Sequence, residues 1–182
     1  MIANALSDTE RLNKLVENIL LATRIDNAAF SIHREKVDLS AYVKDGMNQS
    51  ISASDHKQKL VLDIEPNIFF HIDRTSFPSI LLNLFENAVK YSDANSTITL
   101  SLKQGGDAIL LSVKDEGTGM SEEEKSLVFQ KFYRGGNEET RKTKGTGLGL
   151  YIVKYLVEQH NGSIAVKNNS PRGSIFEVTF KS

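Results

Sequence analysis

Gly145-Thr146-Gly147-Leu148-Gly149-Leu150 runs into Ile152, Val153, Leu156 and Val157, apolar residues at helical spacing. Glycines on alternate positions leave no side chain between the backbone and a group that approaches it. The stretch therefore reads as a loop feeding a helix N-terminus. Unpaired N–H groups and the positive end of the helix dipole favour an anion there, so a phosphate-binding turn is one reading. A plain connector is the other, since the same six residues suit both. A dinucleotide fingerprint needs an apolar strand entering the glycines, whereas Glu138-Glu139-Thr140-Arg141-Lys142-Thr143-Lys144 is polar.

Immediately upstream, residues 135 to 144 have no periodicity, contain two adjacent glycines and carry Arg141, Lys142 and Lys144, which predicts a mobile basic lid. Before it, Phe129 and Phe132 bracket a turn leading to Tyr133 and Arg134, and core anchoring is expected of both phenylalanines. Ser121-Glu122-Glu123-Glu124 has capping-box form and opens a short helix through about Val128. Downstream, the helix from about Leu148 should end at Gln159-His160-Asn161-Gly162. Asn161 or Gly162 can take a left-handed cap there, and His160 sits favourably at the negative dipole end. Ser163 to Lys167 and Ser174 to Lys181 then alternate as a closing hairpin.

Earlier in the chain, Ile98, Leu100 and Leu102 alternate on one strand and Ile109, Leu111 and Val113 on the next, with a glycine turn between them. The second strand runs into Asp115-Glu116-Gly117-Thr118-Gly119-Met120. An acidic residue at a strand end followed by alternate glycines puts a carboxylate at a sheet rim, able to accept a hydrogen bond from an exocyclic amine; an ordinary turn fits as well. Between Asp73 and Tyr91 lies a helix, capped by Asp73 or Thr75, whose core stripe is Phe77, Ile80, Leu81, Leu84 and Ala88. Asn83, Asn87, Lys90 and Tyr91 share a second face. Such a ridge can present amide oxygens to a hard cation and a positive charge to phosphate, or can be a polar helix side bonded to nearby loops.

The first part of the chain differs. Residues 4 to 26 lack glycine and proline, and Leu12, Leu15, Ile19 and Ala22 step by three and four. This predicts an amphipathic helix, with Ser7 or Asp8 at its start or second turn and Asn27 near its end. Its seam suits a bundle that needs partners. Lys36 to Leu39, Leu60 to Ile64 and Ile68 to Ile72 read as short strands around a mixed stretch from Ser40 to Ser54. A boundary near residues 27 to 35 divides the chain into segments 1–30 and 31–182. With 182 residues, 40% apolar content and a net charge of −1, a proper core is expected and nothing global favours nucleic acid. Zero cysteines exclude disulfides and thiolate metal sites, and no apolar run approaches the ~20 residues that span a bilayer. A cytoplasmic location is the expectation.

Taken together in this order, the motifs resemble those of bacterial sensor histidine kinases. Asn83-Leu84-Phe85-Glu86-Asn87-Ala88-Val89-Lys90-Tyr91-Ser92 is similar to their N box, Asp115-Glu116-Gly117-Thr118-Gly119 to their first glycine box, residues 129 to 134 to their F box, and Gly145 to Leu150 to their second glycine box. The resemblance implies an α+β, two-layer Bergerat fold, a mixed and mostly antiparallel sheet packed on helices, preceded by the amphipathic helix. It implies ATP and Mg²⁺ as ligands. Asp115 would bind the adenine amino group, Asn87 with Asn83 would hold the metal, Lys90 and Arg134 would neutralise phosphate, and Tyr91 would flank the nucleotide. Gly117, Gly119, Lys144, Gly145, Thr146, Gly147, Leu148 and Gly149 would complete the binding walls.

ATPases sharing this fold usually place a glutamate one turn before the metal-binding asparagine, where this chain has Asn83. An amide is no general base at neutral pH, so transfer to a protein acceptor is favoured over water attack. None of His33, His56, His71 and His160 has the context of the family's phosphoacceptor. Residues 4 to 26 resemble the second helix of a dimerising hairpin, so the chain is expected to bind ATP without phosphorylating itself. The histidine-bearing helix, a response regulator and a homodimeric, membrane-anchored parent follow as expectations. A Bergerat-fold ATPase of another branch and a non-catalytic docking module remain the alternatives.

Overall fold

A computed structural model describes residues 2–27, 30–53, 56–135 and 145–181. Of the predicted basic lid, residues 136–144 lie outside them. In chain order the elements are α1 (Ile2–Asp26), β1 (Glu35–Asp38), α2 (Leu39–Ala53), β2 (Lys59–Ile64), β3 (Phe69–Ile72), α3 (Phe77–Tyr91), β4 (Thr97–Gly105), β5 (Ala108–Lys114), α4 (Glu122–Leu127), α5 (Gly149–Gln159), β6 (Gly162–Asn168) and β7 (Ser174–Lys181). The mixed stretch after Leu39 is thus helical, and α1 begins before both Ser7 and Asp8.

Five strands form the main sheet in the order β2-β4-β5-β7-β6. All neighbours are antiparallel except β2 and β4, and the remaining strands, β1 and β3, pair antiparallel in a separate two-stranded sheet. Period-two alternation decides which face is buried. Ile98, Leu100 and Leu102 of β4, Ile109, Leu111 and Val113 of β5, and Phe176, Val178 and Phe180 of β7 are all buried, packed in one core with α2, α3 and α5. On α3 the stripe Phe77, Ile80, Leu81, Leu84 and Ala88 is buried as predicted, with Phe85 beside it. This is the two-layer α+β sandwich expected from the resemblance. One helical layer covers one sheet face, and each large side chain taken from water contributes about 1.5–3 kcal/mol.

Only the end of α1 joins this core: Ala22 and Ile25 are buried, while Leu12, Val16, Ile19 and Leu20 are exposed. Of the predicted seam, Ala22 is thus buried against the domain, Leu15 is half-buried, and Leu12 and Ile19 are exposed. Phe30, just beyond, packs edge-on to Tyr155 of α5 at 5.7 Å.

Two distant residues fix the helical layer. Asp73 accepts hydrogen bonds at Oδ1 from the N–H groups of Thr75 and Ser76, both at 2.9 Å, and at Oδ2 from the N–H of His33 at 2.7 Å. The predicted cap therefore forms, although Asp73 sits three residues upstream of the N-cap position, Ser76. Burial would raise the Asp73 pKa, but the bonds from Thr75, His33 and Ser76 outweigh it and hold the carboxyl far below its usual range.

The N–H of Asp73 donates to His160 Nε2 at 3.1 Å, and His160 Nδ1 lies 2.7 Å from the carbonyl of Leu156. A carbonyl can only accept, so Nδ1 carries the proton, Nε2 is the acceptor and the ring is neutral. His160 is fully buried, against Phe77 and Phe180. Burial pushes its pKa down, opposed by the Leu156 carbonyl and by Asp73. The expectation of a cationic His160 favoured by the helix dipole is corrected: desolvation wins, and the ring works as a neutral bridge from α5 to α3. Asn161 takes the left-handed conformation, with φ 58°, that the capping pattern allowed.

Replacing His160 by alanine should lower stability by about 2–4 kcal/mol, because it opens a cavity and orphans the Asp73 amide. Folded His160 binds its proton more weakly than unfolded histidine, so wild-type stability should fall as pH drops below about 6.5. Thermal melts of both proteins across that range check this, and the His160→Ala variant should lack the slope.

Candidate functional site

The end of β5 carries the most tightly held acid in the sheet. Asp115 is 3% exposed. Its Oδ1 accepts from the N–H groups of Gly117 at 2.8 Å and Ser174 at 3.1 Å. Its own N–H donates to Ser174 O at 2.9 Å, and its carbonyl accepts from Asn169 Nδ2 at 2.8 Å. Among the described residues no hydrogen bond reaches Oδ2. Burial raises the Asp115 pKa, offset in part by the Gly117 and Ser174 amides. The result is an oriented carboxylate with one oxygen committed and the other available to a donor.

Gly173 makes that arrangement possible. Its φ is +107°, and a β-carbon there would fall 2.0 Å from the Asp115 carbonyl oxygen. No L side chain fits such an approach. Gly173, Ser174 and Asn169 were not singled out from sequence. They lie on the β6–β7 hairpin, 54 residues or more from Asp115, and only strand pairing brings them together.

On α3, Asn83 Nδ2 donates to Ser79 O at 2.7 Å, one turn back. Since that carbonyl cannot donate, the nitrogen must face it and Oδ1 is turned away. That oxygen lies against the start of α5, where a β-carbon on Gly149 would come within 2.7 Å of it. Lys90 Nζ sits 4.8 Å over the Tyr91 ring and would meet a β-carbon on Gly145 at 2.8 Å. The Tyr91 carbonyl would meet one on Gly117 at 2.4 Å. Asn87 is half-buried on the same ridge, one turn from Asn83 and from Tyr91. The second glycine turn thus rests on the predicted ridge of α3, and the first closes on its C-terminal end.

The turn itself is pinned at Gly147, whose φ is +72°, and a β-carbon there would strike the Phe132 backbone at 2.6 Å. The N–H of Phe132 donates to Gly147 O at 3.0 Å. Phe132 itself has φ +63° and is 63% exposed, so its expected burial is corrected. The left-handed backbone that carries its N–H to Gly147 leaves the ring in solvent. Phe129 does anchor, edge-on to Phe176 at 6.3 Å. Leu148 is buried in the core, which leaves only its backbone to any ligand, and its N–H reaches Thr146 Oγ1 at 3.3 Å. Tyr133 and Arg134 follow at the described edge of the lid, half-buried; Gly119 has φ +71° in the first turn, and Lys144 lies outside the described residues.

A cavity of about 560 Å³ flanks the first glycine turn among Thr118, Met120, Glu124, Asn168, Pro171 and Arg172; Asn87, Asp115 and Gly147 do not line it. The contacts that join α3 to the two turns are made at Asn83, Lys90 and Tyr91. Among the described residues no group of three or more His, Cys, Asp or Glu side chains is placed to hold a metal. A hard cation on the Asn83 and Asn87 oxygens would need ligand oxygens as well, which triphosphate supplies. The donor set therefore fits a Mg–nucleotide and not a free ion.

The sequence profile described as "Histidine kinase-, DNA gyrase B-, and HSP90-like ATPase" matches residues 72–182, from the Asp73 cap to the last strand. The chain belongs to this family. Within it, the chain is 36% identical over 175 residues to the sensor histidine kinase YvrG of Bacillus subtilis, covering 95% of this chain and 30% of YvrG. The Acinetobacter baumannii histidine kinase AdeS superposes with a TM-score of 0.76 at 25% identity, over 97% of this chain and 81% of that one. ShkA, solved full-length in complex with AMPPNP, gives the same TM-score and identity over 93% of this chain and 35% of its own. The chain thus spans under a third of the curated relative it matches, and none of its described helices is long and apolar enough to cross a membrane.

Gly173→Ala should break the Asp115 clasp before it affects the core. Circular dichroism should show a folded protein with a lowered melting temperature, and proton exchange of the Gly117 and Ser174 amides should quicken at least tenfold.

Proposed function

We propose that this chain is the ATP-binding kinase domain of a two-component sensor, and that ATP lies between the α3 ridge, Asp115 and the second glycine turn. The observation that carries this reading is the free Oδ2 of a buried, oriented Asp115 at the sheet rim. An acceptor there suits the exocyclic amine of adenine and rejects the carbonyl that guanine presents at the same place. Lys90 and Arg134 would neutralise phosphate charge, and Tyr91 would flank the nucleotide. The backbone of residues 145–149, together with Lys144, would close over the triphosphate. Asn87 and Asn83 would hold Mg²⁺, which when bound supplies charge neutralisation to the phosphates.

With an amide at Asn83 where a water-activating glutamate would be needed, the chemistry this site favours is phosphoryl transfer to a protein side chain. The acceptor would be a histidine on a separate helical segment of the parent, with a response-regulator aspartate as the final recipient. His160, the most buried histidine, is committed as a neutral bridge and unsuited to the role. The open seam of α1, at Leu12, Val16, Ile19 and Leu20, supports pairing with another such helix in a homodimeric parent, and residues 1–30 would belong to that bundle. The portion described here would lie on the cytoplasmic side of a membrane-anchored sensor.

Calorimetric titration should give Mg-dependent binding of ATP and much weaker binding of GTP. Asp115→Asn should cost about tenfold or more in ATP affinity, the scale of one charge-assisted hydrogen bond. Because burial raises the Asp115 pKa, affinity should decline with falling pH sooner than an ordinary carboxylate would allow. Equal affinity for the two purines, or an unchanged Asp115→Asn variant, would remove the adenine assignment.

A further inference from the structure

Arg172 stands at the tip of the β6–β7 hairpin, one residue before Gly173, and its backbone has a fixed origin. The Asn169 N–H closes that tip by donating to Gly173 O at 2.9 Å, and Gly173 itself lies against the Asp115 carbonyl. From there the guanidinium reaches two other segments. Its Nε donates to the carbonyl of Glu116 at 2.8 Å, and its Nη2 pairs with Oδ2 of Asp93. A guanidinium holds its donors in a rigid planar fork, so two partners bound at once have their separation set by it.

Those partners flank one close contact. Glu116 lies between Asp115 and Gly117, the residue whose N–H holds Asp115 Oδ1. Asp93 is two residues beyond Tyr91, the last residue of α3. Between them the Tyr91 carbonyl lies so near Gly117 that no β-carbon fits there. Arg172 therefore ties together the two walls that meet at this contact: the turn that orients the Asp115 carboxylate, and the helix end that carries the Tyr91 ring. A second bond acts in the same sense, with the N–H of Thr97 donating to Glu116 Oε2 at 2.8 Å.

We infer that Arg172 is a positioning residue for the purine: by fixing Glu116 against Asp93 it sets the spacing between the Tyr91 ring and the free oxygen of Asp115, and so the fit of adenine between them. This rests on the nucleotide reading above and adds to it a residue 56 positions from the turn it holds. The side chains of Arg172 and Asp93 are 54% and 76% exposed, and the Thr97 bond survives without Arg172. The effect is therefore limited to about two- to fivefold in affinity.

The test uses the whole chain and calorimetry. Arg172→Ala should bind Mg-ATP and Mg-ADP about two- to fivefold more weakly, both by the same factor, because the loss concerns the base and not the γ-phosphate. The preference for ATP over GTP should narrow by that factor, which a merely structural role would not produce. Asp93→Ala, a change at an exposed side chain, should give a smaller loss alone and no further loss when combined with Arg172→Ala. Arg172→Lys keeps the charge without the fork and should recover less than the full affinity. Wild-type affinity in Arg172→Ala or in Arg172→Lys, or a loss shared equally by ATP and GTP, overturns the inference and leaves the nucleotide site standing. No binding of Mg-ATP by the wild type overturns both.

Discussion

The carboxylate of Asp115 is buried at the end of β5, held at one oxygen by two backbone amides and clasped through its own N–H and carbonyl by the β6–β7 hairpin. A buried charge is tolerated only where hydrogen bonds replace water, and here the amides of Gly117 and Ser174 supply them while the second oxygen remains available. Everything specific about the site follows from that constraint. β5 must lie beside β7 for Ser174 to reach Asp115, Gly173 must lack a side chain, and the first glycine turn must bend back under the carboxylate. The main sheet is the frame that satisfies these demands.

The helical layer answers a matching requirement, that α3 and α5 keep a fixed relation so that the ridge and the glycine turn stay in contact. Asp73 and His160 meet it from the far end of the helix pair, 87 residues apart in sequence. Asp73 gathers the amides at the start of α3, and its own amide is taken by a histidine that burial keeps neutral. The ridge at one end of α3 is thus registered by a hydrogen bond at the other. Rigid packing there gives the site a fixed floor.

Much of this was legible in the sequence where the signal was local. The α3 stripe, the capping box at Ser121 and Glu124, the β4–β5 hairpin and the left-handed Asn161 all follow from residues within a few positions of one another. Asn83, Lys90, Tyr91, Gly117, Gly145 and Gly149 could be named because helical spacing and alternate glycines mark them, and the fold brings these six together. What was hidden depends on pairing across the fold. The parallel β2–β4 pair, the separate β1–β3 sheet and the partners of Asp115 leave no periodic trace in the chain. Two residues misled for an instructive reason. Phe132 and His160 were read from residue type and local position, as core anchor and helix-end cation, whereas backbone conformation exposed the first and desolvation neutralised the second.

The central claim is that a single purine triphosphate is met at once by the α3 ridge, by Asp115 and by the second glycine turn. Amide chemical shifts followed during a titration with Mg-AMPPNP test it most directly. The account predicts that the backbone signals of Asn87, Gly117 and Gly147 move together along one saturation curve with a common Kd. Shifts confined to one of the three, or separate curves for each, would contradict it.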